Sequence, residues 1–560
     1  MKKYQMIIPA AALSISLLAG NIYAATTGGS SADSTKTYYD QDKEHVDITL
    51  DQVPRDSFDE QAYRELAEEM RTLMQEEGQE KKLLQDYDAL EESVSHLSTD
   101  YSILTYDHYL DPSNEESESA YEKMESLETE ITDDFSALLR DLLTSDYGDA
   151  ITEKMGEDTA ELYRDYSELT DRQKELTEEM QEVVRTYDNQ AVQEPETQAA
   201  HDTWVLSQKK LYCRLLGLEA EMAETLDADD YYSSLCEEDY NRDYSSKDSE
   251  TLAEEVRTYL PSLMQFYLTE VCDTDALSEV YASENLKAEE EVAMLQPCLE
   301  QISGELAEAF DYMEKNHLYD MNTNERKMAV GFTSTLEDYG SAYIFDCPEG
   351  YLADFKTLVH EFGHYAHAYG TEEGTFGGVA NMDVCEIHSQ GLELLCYPFY
   401  TEIMGDEELG EGMRAYVVYN MFYAIELAFC VDEFERTAMK DPDMTVKELD
   451  ALADSLGQAY GVEESFGADN WFYISHIYEQ PGYYIAYGTS ALAALEIFRI
   501  SQEDYDKACD IYMQLSASSA RIPYCQALEN VGLDSPFEKD GVKKLCQELE
   551  DNWLTESAAA

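Results

Sequence analysis

From Ser57 to about Glu314, apolar residues recur at spacings of three and four among Glu, Lys and Gln, with few Pro or Gly to interrupt them. That period lays an apolar stripe along each helix, so the stretch predicts a succession of amphipathic helices. Thr170 to Tyr187 shows it clearly: Leu176, Met180, Val183 and Val184 share a face, and Thr170 with Gln173 fits a capping box. The heptad does not persist, which favours packing on a globular core over a coiled-coil seam. The pattern changes between Met328 and Tyr351, where Gly331–Ser334 and Ser341–Phe345 flank Asp338-Tyr339-Gly340. Two short strands and a turn are predicted there. Such a sheet either packs as a plain hairpin or offers an edge to an extended peptide, with the Ser341–Phe345 strand as the expected rail. Helical periodicity resumes after residue 351 and runs to Trp553, with Gly-containing breaks at 374–378, 461–467 and 481–488. The Gly374–Gly378 segment is expected to adjust around bound side chains.

The N-terminus departs from this texture. Lys2 and Lys3 precede an apolar run from Met6 to Leu18, and Ala24-Ala25 offers a small-residue cut, so residues 1–24 read as a secretory signal peptide. The run is shorter than the ~20 residues a bilayer span needs, and no later apolar run is read as a span. Asn21 stands where lipidation after Leu17-Leu18-Ala19-Gly20 would need Cys, so release rather than anchoring is expected. Residues 25–55 form a polar lead-in, expected to be mobile. Composition adds one large asymmetry: 120 Asp and Glu against 37 Lys and Arg give a net charge of −83. Such a surface repels phosphates and anionic headgroups, which argues against nucleic acid and membrane-surface partners and would steer basic peptides inward. The 11 cysteines are widely spaced without a C-x-x-C, so they read as free thiols rather than a disulfide framework or a thiolate metal site.

The chemistry concentrates in Leu358-Val359-His360-Glu361-Phe362-Gly363-His364-Tyr365-Ala366-His367. His360 and His364 lie one helical turn apart, so both imidazoles can meet one zinc ion, with Glu361 beside it. His367 lies seven residues past His360, about 10 Å further along the helix axis, which is too far to share that ion. It is read as a supporting or core residue, and the third ligand must come from another element. Glu386 and Glu393, in Asp383-Val384-Cys385-Glu386-Ile387-His388-Ser389-Gln390-Gly391-Leu392-Glu393, share one helical face. In so acidic a chain that face is either solvated or buried against something cationic. Zinc on His360 and His364 would satisfy Glu386, and Glu393 could orient a ligand histidine.

H-E-F-G-H-x-x-H followed by E-I-H-S-Q-x-x-E resembles the thimet oligopeptidase and oligoendopeptidase F family of zinc metallopeptidases. The resemblance takes in Tyr240-Asn241-Arg242-Asp243-Tyr244, the Gly331–Phe345 strands and Gly532-Leu533-Asp534-Ser535-Pro536-Phe537, over roughly residues 210–550. It implies one Zn2+ per chain on His360, His364 and Glu386, with Glu361 as general base. It implies a mostly α fold: a two-lobed helical ellipsoid with a deep central channel and a small sheet beside the active-site helix. The organisation then reads as an N-terminal helical domain over 56–210 and a catalytic domain over 211–555.

His476-Ile477-Tyr478-Glu479-Gln480-Pro481-Gly482-Tyr483-Tyr484-Ile485-Ala486-Tyr487-Gly488 is similar to the stretch where that family carries a His followed by tyrosines that stabilise the tetrahedral intermediate. His476, Tyr483, Tyr484 and Tyr487 are the candidates, although an aromatic stripe in the core is the alternative in a chain with 43 Tyr. A phenol can donate to a developing oxyanion without bringing charge. The sequence thus leads to a secreted, zinc-dependent metalloendopeptidase acting on short unfolded peptides. A zinc carboxypeptidase would use the same metal set, while an inactive secreted peptide-binding protein would have no chemical need for Glu361.

Overall fold

The computed structural model describes residues 37–559 apart from 42, 157–159, 161–162, 165–169, 192–194, 196, 237–239, 284–286, 325 and 372–379. The expected signal sequence over 1–24 and the 374–378 segment lie outside the described residues. The chain is mostly α with one small sheet, as its periodicity predicts.

Three helices, α1 (Glu60–Leu73), α2 (Glu80–Leu110) and α3 (Glu115–Leu143), with the short α4 (Gly148–Met155), enclose a separate small core. Asp59 starts α1 by accepting the Ala62 N–H, and Asn114 starts α3 by accepting the Glu116 N–H. Tyr63, Ala67 and Met70 of α1 face Leu83, Leu90, Phe135 and Leu138. Helices α5 (Asp171–Ala191) and α6 (Gln198–Leu226) carry Leu176, Val183, Tyr187 and Tyr212 into the large core instead. Their apolar faces find aromatic partners there: Tyr187 stacks on Tyr478 at 4.0 Å, and Tyr212 meets Trp471 edge-on at 5.3 Å. The capping box at Thr170 is present, with its N–H donating to Gln173 Oε1 at 2.8 Å.

Within the polar lead-in, the described residues from 37 onward pack against the body of the protein. Tyr39, Leu50 and Val53 are buried in the large core, and the Tyr38 and Tyr39 N–H groups donate to the Glu305 carboxylate. Lys43 Nζ donates to the Thr371 carbonyl at 2.6 Å, and His45 stacks on Tyr369 at 3.9 Å. A polar composition hid three apolar anchors and a cation placed on the free carbonyls of a helix end.

The sheet runs β1 (Tyr319–Asp320), β3 (Ser341–Asp346), β2 (Gly331–Leu336). β2 is antiparallel to β3, with Gly331 opposite Asp346 and Leu336 opposite Ser341, while β1 adds in parallel at Ile344 and Phe345. The two-residue β1 makes β3 the central strand, with all six residues buried. The expected rail, Ser341–Phe345, therefore has no free edge, and β2 is the edge strand on the side away from β1.

Under the sheet runs α7 (Phe355–Gly370), crossed by α8 (Met382–Leu395). A Cβ at Gly363 would lie 2.6 Å from Ser389 Cα and closer still to the His388 carbonyl oxygen. The motif glycine is what lets the two helices touch backbone to backbone. Behind them α9 (Glu407–Lys440) packs against α10 (Ile485–Glu503). α9 is long and apolar enough to cross a membrane, but 83% of its most apolar window is buried in the protein, as in a core helix.

Candidate metal centre

α7 supplies His360, Glu361 and His364, and α8 supplies Glu386 and Glu393. The close crossing at Gly363 sets the two carboxylates against the imidazoles. Glu386 Oε2 lies 3.3 Å from His360 Nε2 and 3.5 Å from His364 Nε2, and one ligand atom from each of the three residues falls within 4.8 Å of the others. No other such group occurs among the described residues. Glu393 Oε1 lies 2.7 Å from His360 Nδ1, which donates to it, while Nε2 is the ring atom turned toward Glu386. His367 is turned elsewhere: its Nδ1 lies 2.8 Å from the Ser516 carbonyl and its ring stacks on His388 at 4.2 Å.

The electrostatics of this cage call for a cation. Burial opposes charge on the His360 imidazolium, but Glu386 and Glu393 outweigh it and push its pKa up to about 10. Burial likewise favours the neutral acid at Glu386, yet His364 and His360 hold it well below the usual carboxylate range. Ser389 Oγ donates to Glu386 Oε2 at 3.0 Å and the Tyr483 hydroxyl to Oε1 at 3.1 Å, which fixes the carboxylate's orientation. Two imidazoles and a carboxylate, converging and backed by a second carboxylate, are a donor set that fits zinc.

Beside the cage opens a cleft of about 730 Å³, onto which Glu361, His476, Tyr484 and Tyr487 face. Glu361 is 2% exposed, and the Thr333 hydroxyl of β2 lies 2.9 Å from its Oε2. His476 opens a short helix, His476–Glu479, and burial holds its imidazole down to about 4 against the pull of Glu386, so it is neutral at pH 7. Its Nε2 lies 3.4 Å from the Tyr487 hydroxyl. Tyr483 is buried against Tyr487 with its hydroxyl on Glu386, whereas Tyr484 and Tyr487 line the cleft.

A turn at Gly482, φ +73°, presents these tyrosines. Its N–H donates to Glu435 Oε1 on α9 at 2.9 Å, and its carbonyl accepts from Arg242 Nη1 at 2.9 Å. Arg242 Nε also donates to Asp383 Oδ2 at 3.0 Å, in the first turn of α8. One buried guanidinium therefore ties the tyrosine turn to the helix that carries Glu386.

Two comparisons are silent: no protein-family model and no curated protein matches the sequence. Solved structures do match. An oligoendopeptidase F superposes with a TM-score of 0.73 over 91% of this chain and 99% of its own, at 19% identity. Pz peptidase A, solved with an inhibitor, gives 0.73 over 90% and 99%, at 18% identity. The fold is that of the M3 and M32 zinc peptidases. An M32 carboxypeptidase from Deinococcus radiodurans R1 also superposes, at 0.55 over 83% and 99%, with 14% identity. Within this peptidase fold, sequence spacing brought out the His360, His364, Glu386 and Glu393 set but missed the residues that hold it. Ser389, one turn from Glu386, was open to the same spacing argument; Thr333 and Arg242 lie in segments that carry the resemblance but without any sign of what they hold, and Glu435 lies in a segment with no such signal.

Proposed function

We propose that this protein is a zinc-dependent oligoendopeptidase that hydrolyses internal bonds of short, unfolded peptides. The observation that carries the reading is the convergence of His360, His364 and Glu386 beside Glu361 at the wall of a cleft. Zinc held by these three residues would supply Lewis acidity and lower the pKa of a water in the site. Glu361, oriented by Thr333, takes a proton from the attacking water and returns it to the leaving amine. Neutral His476 and the Tyr487 hydroxyl beside it, with Tyr484, donate to the oxygen of the scissile carbonyl as it gains charge. Tyr483 supports Glu386 rather than the substrate. The β2 edge, next to Glu361, is the strand that suits an extended peptide backbone. Export belongs to the same proposal and rests on the charged start and apolar run of the sequence alone.

The test is cleavage of a mixed library of short, end-blocked peptides, with and without a chelator, alongside Glu361→Gln. Internal cleavage that chelation stops, zinc restores and Glu361→Gln lacks is the expected outcome. Cleavage only of peptides with free C-termini, one residue at a time, would replace the endopeptidase with a carboxypeptidase. Peptide binding without turnover would replace it with a binding protein.

A further inference from the structure

Lys356 sits on α7 one turn before His360, so it shares the face that carries the metal-binding histidines. It is the one Lys or Arg among the described residues lining the cleft, in a chain whose net charge is −83. Its side chain is 14% exposed, and its ammonium lies 3.3 Å from Glu393 Oε1, the oxygen that accepts the shorter 2.7 Å bond from His360. An ammonium has three donors, and this contact uses one. Enclosing the rest of the group costs free energy unless something anionic meets it. Asn420 brings an uncommitted side-chain amide to the same cleft, whereas Gln390 is occupied by Ser490 and the Tyr487 carbonyl.

We propose that Lys356 is a specificity residue of this cleft: its ammonium receives a carboxylate of the bound peptide, from an Asp or Glu side chain or from a free C-terminus. This rests on the peptidase reading above and sharpens its substrate class. It also divides the effects of charge by distance. The acidic surface acts on approaching peptides over about a Debye length, roughly 8 Å at physiological ionic strength, while Lys356 acts in contact.

The experiment uses zinc-loaded protein and peptides differing in one group. One set is blocked at both ends and carries Glu or Gln near the scissile bond; the other has a free or an amidated C-terminus. The acidic member of one set is expected to be favoured about tenfold to a hundredfold in kcat/KM, through KM, and the set that responds identifies the source of the carboxylate. Lys356→Met should remove the preference, lowering the acidic member of the pair more than the neutral one, Lys356→Arg should keep it, and Lys356→Glu should shift it toward Lys-containing peptides. If Lys356 serves only as the counterion of Glu393, Lys356→Met lowers both members of each pair alike and loosens zinc, which overturns the proposal. Titration calorimetry of the same pairs onto Glu361→Gln gives a readout without turnover. Should the wild type cleave nothing, the peptidase reading fails, and the calorimetric pairs still decide: unequal affinities support the role of Lys356 and equal affinities end it.

Discussion

Glu386 and Glu393 on α8 are 2% and 1% exposed, and Glu219 on α6 and Glu435 on α9 are each 1% exposed. Equal depth gives opposite chemistry. Glu386 faces two imidazoles and stays anionic despite its burial; Glu393 faces Lys356 and His360 and is also held below the usual carboxylate range. Glu219 has no hydrogen-bond partner, and burial pushes its pKa up to about 8. Burial likewise raises Glu435 well above the ordinary value, against the opposing Gly482 N–H. Depth sets the desolvation cost, but what converges on the carboxylate decides whether it bears a charge. One pair is an anionic ligand and its support. The other is a neutral neighbourhood that holds a turn.

The comparison breaks most severely at Glu386. Glu386→Gln keeps the shape but removes the charge, leaving two histidines without an anionic partner. Zinc retention measured in a metal buffer should fall by more than the roughly 100-fold that bounds loss of a supporting residue, and activity with it. Retention equal to wild type would show that the cage does not depend on this carboxylate. Gly363→Ala leaves every ligand intact and moves them apart. Its Cβ needs space held by Ser389 Cα and the His388 carbonyl, so the helices must separate. A displacement of about 1 Å costs on the order of 100-fold in rate, and overpacking costs about 1–3 kcal/mol of stability. Turnover and the denaturant midpoint should fall together; an unchanged rate would mean that the crossing does not set the site.

The metal-site residues were legible for a physical reason: motif and spacing describe neighbours on one helix. His360, His364 and Glu361 follow from a four-residue spacing, and the facing of Glu386 with Glu393 from a seven-residue one. The helical class followed from periodicity in the same way. What could not be read is pairing across distance. β1 is two residues long, too short for any period, yet it turns β3 from an edge into a centre. α5 and α6 have ordinary amphipathic faces, and nothing local says which of two cores they join. Tyr39, Leu50 and Val53 are too sparse to mark the segment before α1 as packed. Arg242 and Glu435 meet at Gly482 from positions 240 and 47 residues away.

Glu393→Gln sharpens the comparison from within the first pair. It removes the acceptor charge behind His360 and leaves Lys356 without its partner, so zinc affinity should fall about 10- to 100-fold while the zinc-saturated protein remains folded. The change mildest at pH 7, and the most discriminating across pH, is Glu219→Gln, in the second pair. The folded-state value of about 8 lies above the ordinary value of 4.5, so between those pH values the folded chain holds a proton that the unfolded chain has released. The stability that proton confers is fully present below pH 4.5 and is lost as pH rises through 8, a span worth about 5 kcal/mol. Gln is neutral at every pH and has no proton to lose. Denaturant midpoints at pH 5 and pH 9 should therefore differ less for Glu219→Gln than for the wild type, while zinc retention at pH 7 stays unchanged. An unaltered pH slope would mean that Glu219 ionises freely in place, and the contrast between the two buried pairs would lose its electrostatic basis.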